Sequence, residues 1–109
     1  MYLNKGELNG NRLLSRTTVE TILTNQIPYI SEDIKASHGL AFGLIDKKQH
    51  DLGGAGSEGT FVWGGYFNTT YFADPKEQVI GVLLKQTQRI SGDDTSNTFK
   101  KLVMQSIND

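Results

Sequence analysis

The stretch GTFVWGGYFNTTYFADP (residues 59–75) contains the pattern from which the rest of the architecture can be inferred. Its first half places Phe61 and Trp63 on one face of a strand. Its second half predicts another strand, with Thr70 and Phe72 on the face opposite Tyr71. Pro75 ends the run and begins a turn. These residues therefore predict two consecutive strands joined by a short connection.

One further strand is predicted on each side of this pair. Upstream, HGLAFGLID alternates Leu40, Phe42 and Leu44 with very small residues, as in a strand over residues 38–46. Downstream, QVIGVLLKQT is an almost continuous apolar run, which predicts a strand over 78–87 buried on both faces. With the central pair at 57–64 and 69–73, the sequence predicts about four strands.

Helices are expected at both ends of the chain. Ser15 is a plausible N-cap for a helix over 16–24. A second helix, over 97–107, carries an amphipathic stripe composed of Phe99, Leu102, Val103 and Ile107. The opening MYLNKGEL is interpreted as the end of a helix, followed by a turn at Asn9-Gly10. Short links favour antiparallel pairing, so the predicted class is α+β, an antiparallel sheet with N- and C-terminal helices in one unit, 1–109.

Composition limits the classes of protein that the chain can represent. It has 109 residues, 37% of them hydrophobic, and a formal net charge of -1. These values fit one small domain and disfavour both charge-driven disorder and general nucleic-acid binding. There are no cysteines, so disulfides and thiolate metal sites are excluded. No apolar run approaches the roughly 20 residues that span a bilayer, so no membrane span is predicted.

The segment GAGSEG (54–59) satisfies the G-x-G-x-x-G pattern of dinucleotide-binding proteins, with Asp74 as a candidate ribose-binding acid. That pattern needs a strand before it and a helix after it, so that phosphate meets the helix N-terminus. Here a strand follows instead. A flexible hairpin loop is the favoured interpretation, and no nucleotide cofactor is predicted.

Histidines and acids cluster in the middle of the sequence and raise the question of a metal or a catalytic triad. The candidates are His38, Asp46, His50 and Asp51, with Ser57 as a possible nucleophile. The segment between Asp46 and His50 is predicted to be a turn, so their spacing carries little meaning, and a third metal ligand is not evident. A triad is recognised by geometry, not by sequence proximity. Exposed loop residues are the favoured interpretation, and no metal site is predicted.

The Gly64-Gly65 pair leaves two interpretations open. Glycine inside a strand usually marks a bulge or a close approach of another backbone. A ligand lying along an exposed strand edge needs such an approach, and backbone N–H groups there could stabilise an oxyanion. A bulge that lets Trp63 pack explains the pair equally well.

Three segments resemble the C-terminal portion of the serine beta-lactamase-related family. They are NGNRLLSRTTVETILTNQ, GLAFGL and FVWGGYFNTTYFADPKEQVIGVLLKQ. The family includes class C beta-lactamases, D-alanyl-D-alanine carboxypeptidases and penicillin-binding-protein-like esterases. The likeness is greatest to esterase-like members, in which Trp-Gly-Gly replaces Lys-Thr-Gly. It implies a piece of the beta-lactamase/transpeptidase-like fold.

The resemblance also implies roles for the central strand. Trp63, Gly64 and Gly65 match the triplet on the strand that borders the active site, where they would bind substrate. The residue after the triplet, Tyr66, would give a backbone N–H to the oxyanion hole. Trp63 in place of Lys points toward neutral esters or uncharged amides. Relatives are often exported, which favours the periplasm or cell envelope.

The chain departs from the family in its nucleophile. The family's serine lies in a Ser-x-x-Lys motif, and none of the seven serines here has Lys three residues later. Tyr2-Leu3-Asn4 and Tyr66-Phe67-Asn68 fit the family's Tyr-x-Asn motif by letters only, in the wrong places. The expectation is a C-terminal fragment of a serine hydrolase, with no catalytic residue of its own and inactive without the N-terminal portion of the same domain.

A non-catalytic interaction module is the alternative. An isolated piece of this fold would leave one sheet edge uncovered, and the strand over 78–87 is the expected edge. Self-pairing of that strand would give a homodimer.

Overall fold

The computed structural model describes residues 1–27, 37–51, 53, 56–88 and 91–108. The described residues form a five-stranded antiparallel sheet, a separate two-stranded hairpin and three helices, which confirms the α+β class. The elements in chain order are β1 (Glu7–Leu8), β2 (Asn11–Arg12), α1 (Arg16–Ile22), β3 (Ser37–His38), β4 (Gly43–Leu44), α2 (Lys47–Asp51), β5 (Phe61–Gly64), β6 (Thr70–Asp74), β7 (Val79–Leu83) and α3 (Thr95–Gln105). The five-stranded sheet has the order β3-β4-β5-β6-β7.

The central hairpin pairs β5 with β6 and continues into β7. Trp63 lies opposite Tyr71, which lies opposite Val82, so the three side chains share one face of the sheet. Phe61, Ala73 and Ile80 form the next row on that face. The period-2 pattern read from the sequence therefore corresponds to the observed register.

The strand predicted over 38–46 is wrong as a single element. It forms two short strands, β3 and β4, joined by a turn in which the N–H of Gly39 donates to the carbonyl of Phe42 at 2.8 Å. The end of α1 explains the turn, because a Cβ on Gly39 would lie 2.1 Å from the carbonyl oxygen of Ile22. Leu40 donates its own N–H to that oxygen, and its side chain is exposed to solvent.

The main core lies on the Phe61 face of the sheet. Its buried members are Phe42, Leu44, Phe61 and Ala73, and the partly buried residues packed on them are Tyr2, Leu3, Ile22, Leu23 and Tyr71. The helix end expected in MYLNKGEL is wrong, since these residues form turns and then the β1–β2 hairpin. Asn9 and Gly10 turn that hairpin with φ of 51° and 78°, as a tight two-residue turn requires.

Phe72 anchors the opposite face of the sheet. It is 1% exposed, and its ring contacts Phe99 of α3 with ring centroids 6.1 Å apart. Gly81 lies beneath the same ring, where a Cβ would approach Phe72 to 2.2 Å. Of the stripe predicted for the last helix, Phe99, Val103 and Ile107 are half-buried, whereas Leu102 is exposed.

β7 is an edge strand of the described sheet, and the prediction that it is buried on both faces is wrong. Ile80 is 62% exposed, Val82 57% and Leu84 79%. No described element covers this face of β7, because α3 packs on the other one. The opposite edge differs, since His38 of β3 donates one hydrogen bond to the segment after α1 and accepts another from it.

The segment between Asp46 and His50 is also corrected. It belongs to a short helix, α2, which begins where the N–H of Gln49 donates to Asp46 Oδ1 at 2.8 Å. Ser15 caps α1 as the sequence predicts, accepting from the N–H of Thr18 at 3.0 Å. None of the described helices has the length and apolar character needed to cross a membrane.

Candidate functional site

The backbone of β5 has an open edge at Gly64. β4 pairs only with Phe61 and Val62, and no other described strand continues the ladder on that side. The carbonyl of Thr60 points toward β4 and accepts a hydrogen bond on that side of the sheet. The N–H of Gly65 points to the opposite side, toward β6, where it donates to the carbonyl of Thr69 at 2.9 Å. Because peptide groups alternate along a strand, those of Gly64 point toward the open edge.

The glycine pair has a steric explanation within the hairpin. A Cβ on Gly65 would lie 2.4 Å from Thr69 Oγ1, and a Cβ on Gly64 would lie 3.0 Å from the carbonyl oxygen of Thr69. The two glycines therefore let β5 and the turn after it approach closely. The approaching backbone is that of the chain's own hairpin, an explanation beside the ligand and the bulge that the sequence left open.

A shallow groove of about 480 Å³ opens beside the end of this hairpin. It lies between the β5–β6 turn and the first turn of α3. Its lining residues are Gly64, Gly65, Tyr66, Asn68, Thr69, Thr70 and Ser96. The groove combines small and hydroxylated side chains with strand backbone, which is suited to binding a polar, extended ligand.

Trp63 lies on the other face of β5 and is 50% exposed. The ring of His38 packs edge-to-face against it, with ring centroids 5.2 Å apart and an interplanar angle of 88°. His38 Nδ1 lies 2.7 Å from the carbonyl oxygen of Gly39. Because a carbonyl only accepts, Nδ1 carries the proton and a neutral ring keeps its lone pair on Nε2.

The backbone of His38 is fixed from the end of α1. Its N–H donates to Asn25 Oδ1 at 3.2 Å, and its carbonyl accepts from the N–H of Gln26 at 2.8 Å. The sequence offered His38 only as a metal or triad candidate. Its contact with Trp63 could not have been found from sequence spacing, because it depends on the turn that separates β3 from β4.

Within the described ranges of the chain, no side-chain hydrogen bond joins the metal and triad candidates to one another. Among the described residues, no group of three or more histidines and acids could hold a metal ion. His50 Nδ1 contacts the carbonyl of Gly56 at 3.0 Å, Asp51 pairs with Lys47, and Asp46 accepts from the hydroxyl of Ser37 at 2.6 Å. That hydroxyl and the N–H of Gln49 lower the pKa of Asp46. Asp46 thus stabilises the start of α2.

Asp74 is fully buried, and its carboxylate accepts hydrogen bonds from the protein itself instead of from a ribose. One carboxylate oxygen accepts from the N–H of Ser57 at 2.7 Å and from the hydroxyl of Thr60 at 2.9 Å. The other accepts from the N–H groups of Lys76 and Glu77 at 2.9 and 3.1 Å. Burial by itself raises the pKa of Asp74, but these hydrogen bonds outweigh it, so the pKa lies below its usual value.

Asp93 forms a second polar centre beside the groove. It pairs with Lys85 and accepts from both the N–H and the hydroxyl of Thr95 at the start of α3. These contacts, the one with Lys85 first, hold the pKa of Asp93 well below its usual range. Asp93 is therefore a carboxylate at neutral pH.

Comparison with known proteins finds a similar architecture in part of a hydrolase. No family model and no curated protein matches the chain. Among the solved structures that do match is EstCE1, described as a hydrolase with promiscuous acyltransferase activity, with a TM-score of 0.72 and 17% sequence identity. The match covers 94% of this chain and 26% of EstCE1. The chain thus has a hydrolase-like fold and spans about a quarter of the length of that structure.

Proposed function

We propose that this chain is the C-terminal portion of a serine hydrolase of the beta-lactamase-related type, acting on ester or amide substrates through an acyl-enzyme. The observation that carries the proposal is the open edge of β5 at Gly64, beside a half-exposed Trp63. An edge of this kind lets the backbone of an extended substrate pair with the strand. The fold shared with part of EstCE1 supports it.

The roles proposed for individual residues follow from their places on the edge. Gly64 and Gly65 let the substrate lie against the strand, with the peptide groups of Gly64 facing it, and the N–H of Tyr66 stabilises the oxyanion of the tetrahedral intermediate. Trp63 supplies an apolar wall. Because Trp63 carries no positive charge, the proposed substrates are neutral esters or amides rather than carboxylates.

The nucleophile and its base belong, in this proposal, to the N-terminal portion of the same domain. Within the chain, Ser57 is buried and its N–H is held by Asp74, so it cannot reach a substrate. We expect the chain alone to hydrolyse neither a chromogenic ester nor a chromogenic beta-lactam. Turnover that a single serine substitution in this chain abolishes would contradict this.

The coding sequence upstream of Met1 gives an independent test. The proposal expects an in-frame Ser-x-x-Lys followed by Tyr-x-Asn. If an upstream reading frame continues without these motifs, the chain does not belong to a serine hydrolase of this type.

A second candidate function is self-association, which the exposure of β7 favours. Ile80 and Val82, with Leu84 just beyond the strand, form an apolar stripe on β7, whose outer edge no described strand pairs. Unpaired edges of this kind add strands from other chains. The homodimer is tested below.

A further inference from the structure

The turn that connects β5 to β6 is held from inside and from outside. Inside the turn, the N–H of Gly65 donates to the carbonyl of Thr69 at 2.9 Å, and the N–H of Asn68 donates to the carbonyl of Gly65 at 3.1 Å. No described residue accepts a hydrogen bond from the N–H of Tyr66 between them. Because no described acceptor orients that N–H, its direction depends on the contacts that fix the conformation of the turn.

The Asn68 side chain supplies the outside contacts. Its Nδ2 lies 3.1 Å from the carbonyl oxygen of Gln88 and 3.2 Å from Thr87 Oγ1, with Asp93 Oδ2 slightly farther at 3.4 Å. An amide nitrogen has two hydrogens, so these acceptors satisfy both. A backbone bond runs parallel, from the N–H of Thr87 to the carbonyl of Phe67 at 3.2 Å.

Asp93 extends the connection to α3. It accepts from the N–H of Thr95 at 3.0 Å, at the start of the helix, and also pairs with Lys85. The turn at the end of β5, the segment after β7 and the first turn of α3 are thus joined in one polar network. Ser96 of α3 and Tyr66 of the turn line the same groove.

Asparagine suits this position for two physical reasons. Its φ is 62°, a left-handed conformation that asparagine tolerates better than most residues with a side chain. Its amide is also neutral and donates hydrogen bonds, whereas a carboxylate there would repel Asp93 and could not donate. Glycine at this position would allow the same backbone conformation but would make none of the side-chain hydrogen bonds.

We propose that Asn68 is a positioning residue, which fixes the backbone N–H of Tyr66 relative to the open edge at Gly64 by tying the turn to residues 87–88 and to the start of α3. The role of Asn68 in catalysis rests on the proposed function. The hydrogen bonds by which Asn68 ties the turn to residues 87–88 and to the start of α3 do not depend on that function.

The first test compares Asn68→Gly with Asn9→Gly in the isotopically labelled chain. Asn9 is a matched control, because it also lies in a hairpin turn with a φ of 51° and is not among the residues that line the groove. In Asn68→Gly, amide exchange at Thr87 should accelerate by about tenfold, as expected for loss of the side-chain bonds that support its own bond to Phe67. The Tyr66 amide resonance should shift. Asn9→Gly should change neither, and an unchanged Thr87 and Tyr66 in Asn68→Gly overturns the proposal.

A second test uses charge, which a purely space-filling role would not sense. Asn68→Asp keeps the size and places a carboxylate beside Asp93. The Tyr66 amide resonance should then titrate between about pH 3 and 6, where aspartate side chains change charge, and should not do so in Asn9→Asp. A Tyr66 resonance that is independent of pH in Asn68→Asp overturns the proposal. If that variant does not fold, Thr87→Val removes one acceptor and should still shift Tyr66.

These results separate the inference from the proposed function. If the Ser-x-x-Lys motif is missing upstream but Asn68→Gly releases Thr87 and Tyr66, the proposed function fails and Asn68 still positions the turn. If the motif is present and the amides of Thr87 and Tyr66 are unchanged in Asn68→Gly, the inference fails and the proposed function is unaffected.

Discussion

Asp74 accepts a hydrogen bond from the backbone N–H of Ser57 at 2.7 Å, although the two residues lie 17 positions apart. The contact joins the loop that leads into β5 to the turn that follows β6. With Thr60, Lys76 and Glu77 as further donors, one buried carboxylate holds both ends of the central hairpin.

Replacing Asp74 with Asn should destabilise the chain. An amide has a single acceptor oxygen and brings an NH₂ group toward backbone donors, so we expect a loss of about 2 kcal/mol, in the range for disrupted buried hydrogen bonds to a charged group. Urea denaturation measures it. The control is Asp51→Asn, which breaks an exposed ion pair with Lys47 and should cost less than about 1 kcal/mol. Equal losses in the two variants would contradict this role for Asp74.

The same carboxylate should make stability depend on acid pH. The pKa of Asp74 is lower in the folded chain than in the unfolded one, so its contribution is present above the unfolded value, about 3.9, and is lost as the pH falls through the folded value. The urea midpoint of the wild-type chain should therefore fall below about pH 4. Asp74→Asn should show a shallower decrease, and identical slopes would argue against the assignment.

Gly81→Ala should be strongly destabilising, because the new Cβ would meet the buried ring of Phe72 at 2.2 Å. We expect a cost of about 3 kcal/mol, at the upper end for an overpacked core. Gly43→Ala is the matched control in the same sheet, since its Cβ would come no closer than 3.3 Å to a Val62 methyl and 3.6 Å to the Val62 carbonyl oxygen. Thermal unfolding that gives the same midpoint for both variants would show that the ring of Phe72 moves aside freely.

His38 should report on the environment of Trp63, which is the single tryptophan of the chain. In His38→Ala the edge-to-face contact is lost and the indole becomes more exposed. We expect a red-shifted emission maximum and greater quenching by acrylamide. His50→Ala is the control, because His50 contacts Gly56 instead. Unchanged emission in His38→Ala would mean that the two rings do not pack in solution.

Val82→Lys should weaken any self-association through β7. A lysine on an edge strand opposes pairing with another copy, because its charge would have to be buried. Sedimentation velocity over a range of concentrations should show dimers for the wild-type chain and monomers for Val82→Lys. Leu13→Lys, which changes an equally exposed apolar residue in the N-terminal segment, should still form dimers. A wild-type chain that stays monomeric at high concentration rules out the homodimer.

Local patterns were sufficient for much of the fold. The hairpin of β5 and β6 follows from two-residue alternation around Trp63 and Tyr71, and the start of α1 follows from the hydroxyl of Ser15. The α+β class follows from the order of elements and their short links. For the candidate site, the sequence pointed to Trp63, Gly64, Gly65 and Tyr66, which lie at the end of β5 and in the turn after it.

Other features could not be read from any local pattern. HGLAFGLID alternates as a strand should, yet it turns at Gly39 because the carbonyl of Ile22 lies against it. The turn brings His38 to Trp63, a contact that has no sequence signature. Likewise Asn68 reaches Thr87, which lies 19 positions further along the chain.

By itself, the sequence determined the positions of β5, β6, β7, α1 and α3, because period, capping and turn chemistry act between neighbouring residues. The tertiary structure alone decided which surfaces are covered. β7 is apolar on both faces, but Phe72 and α3 cover only the one that contains Gly81. Burial depends on what packs against a segment, and that partner is set by contacts between residues far apart in the chain.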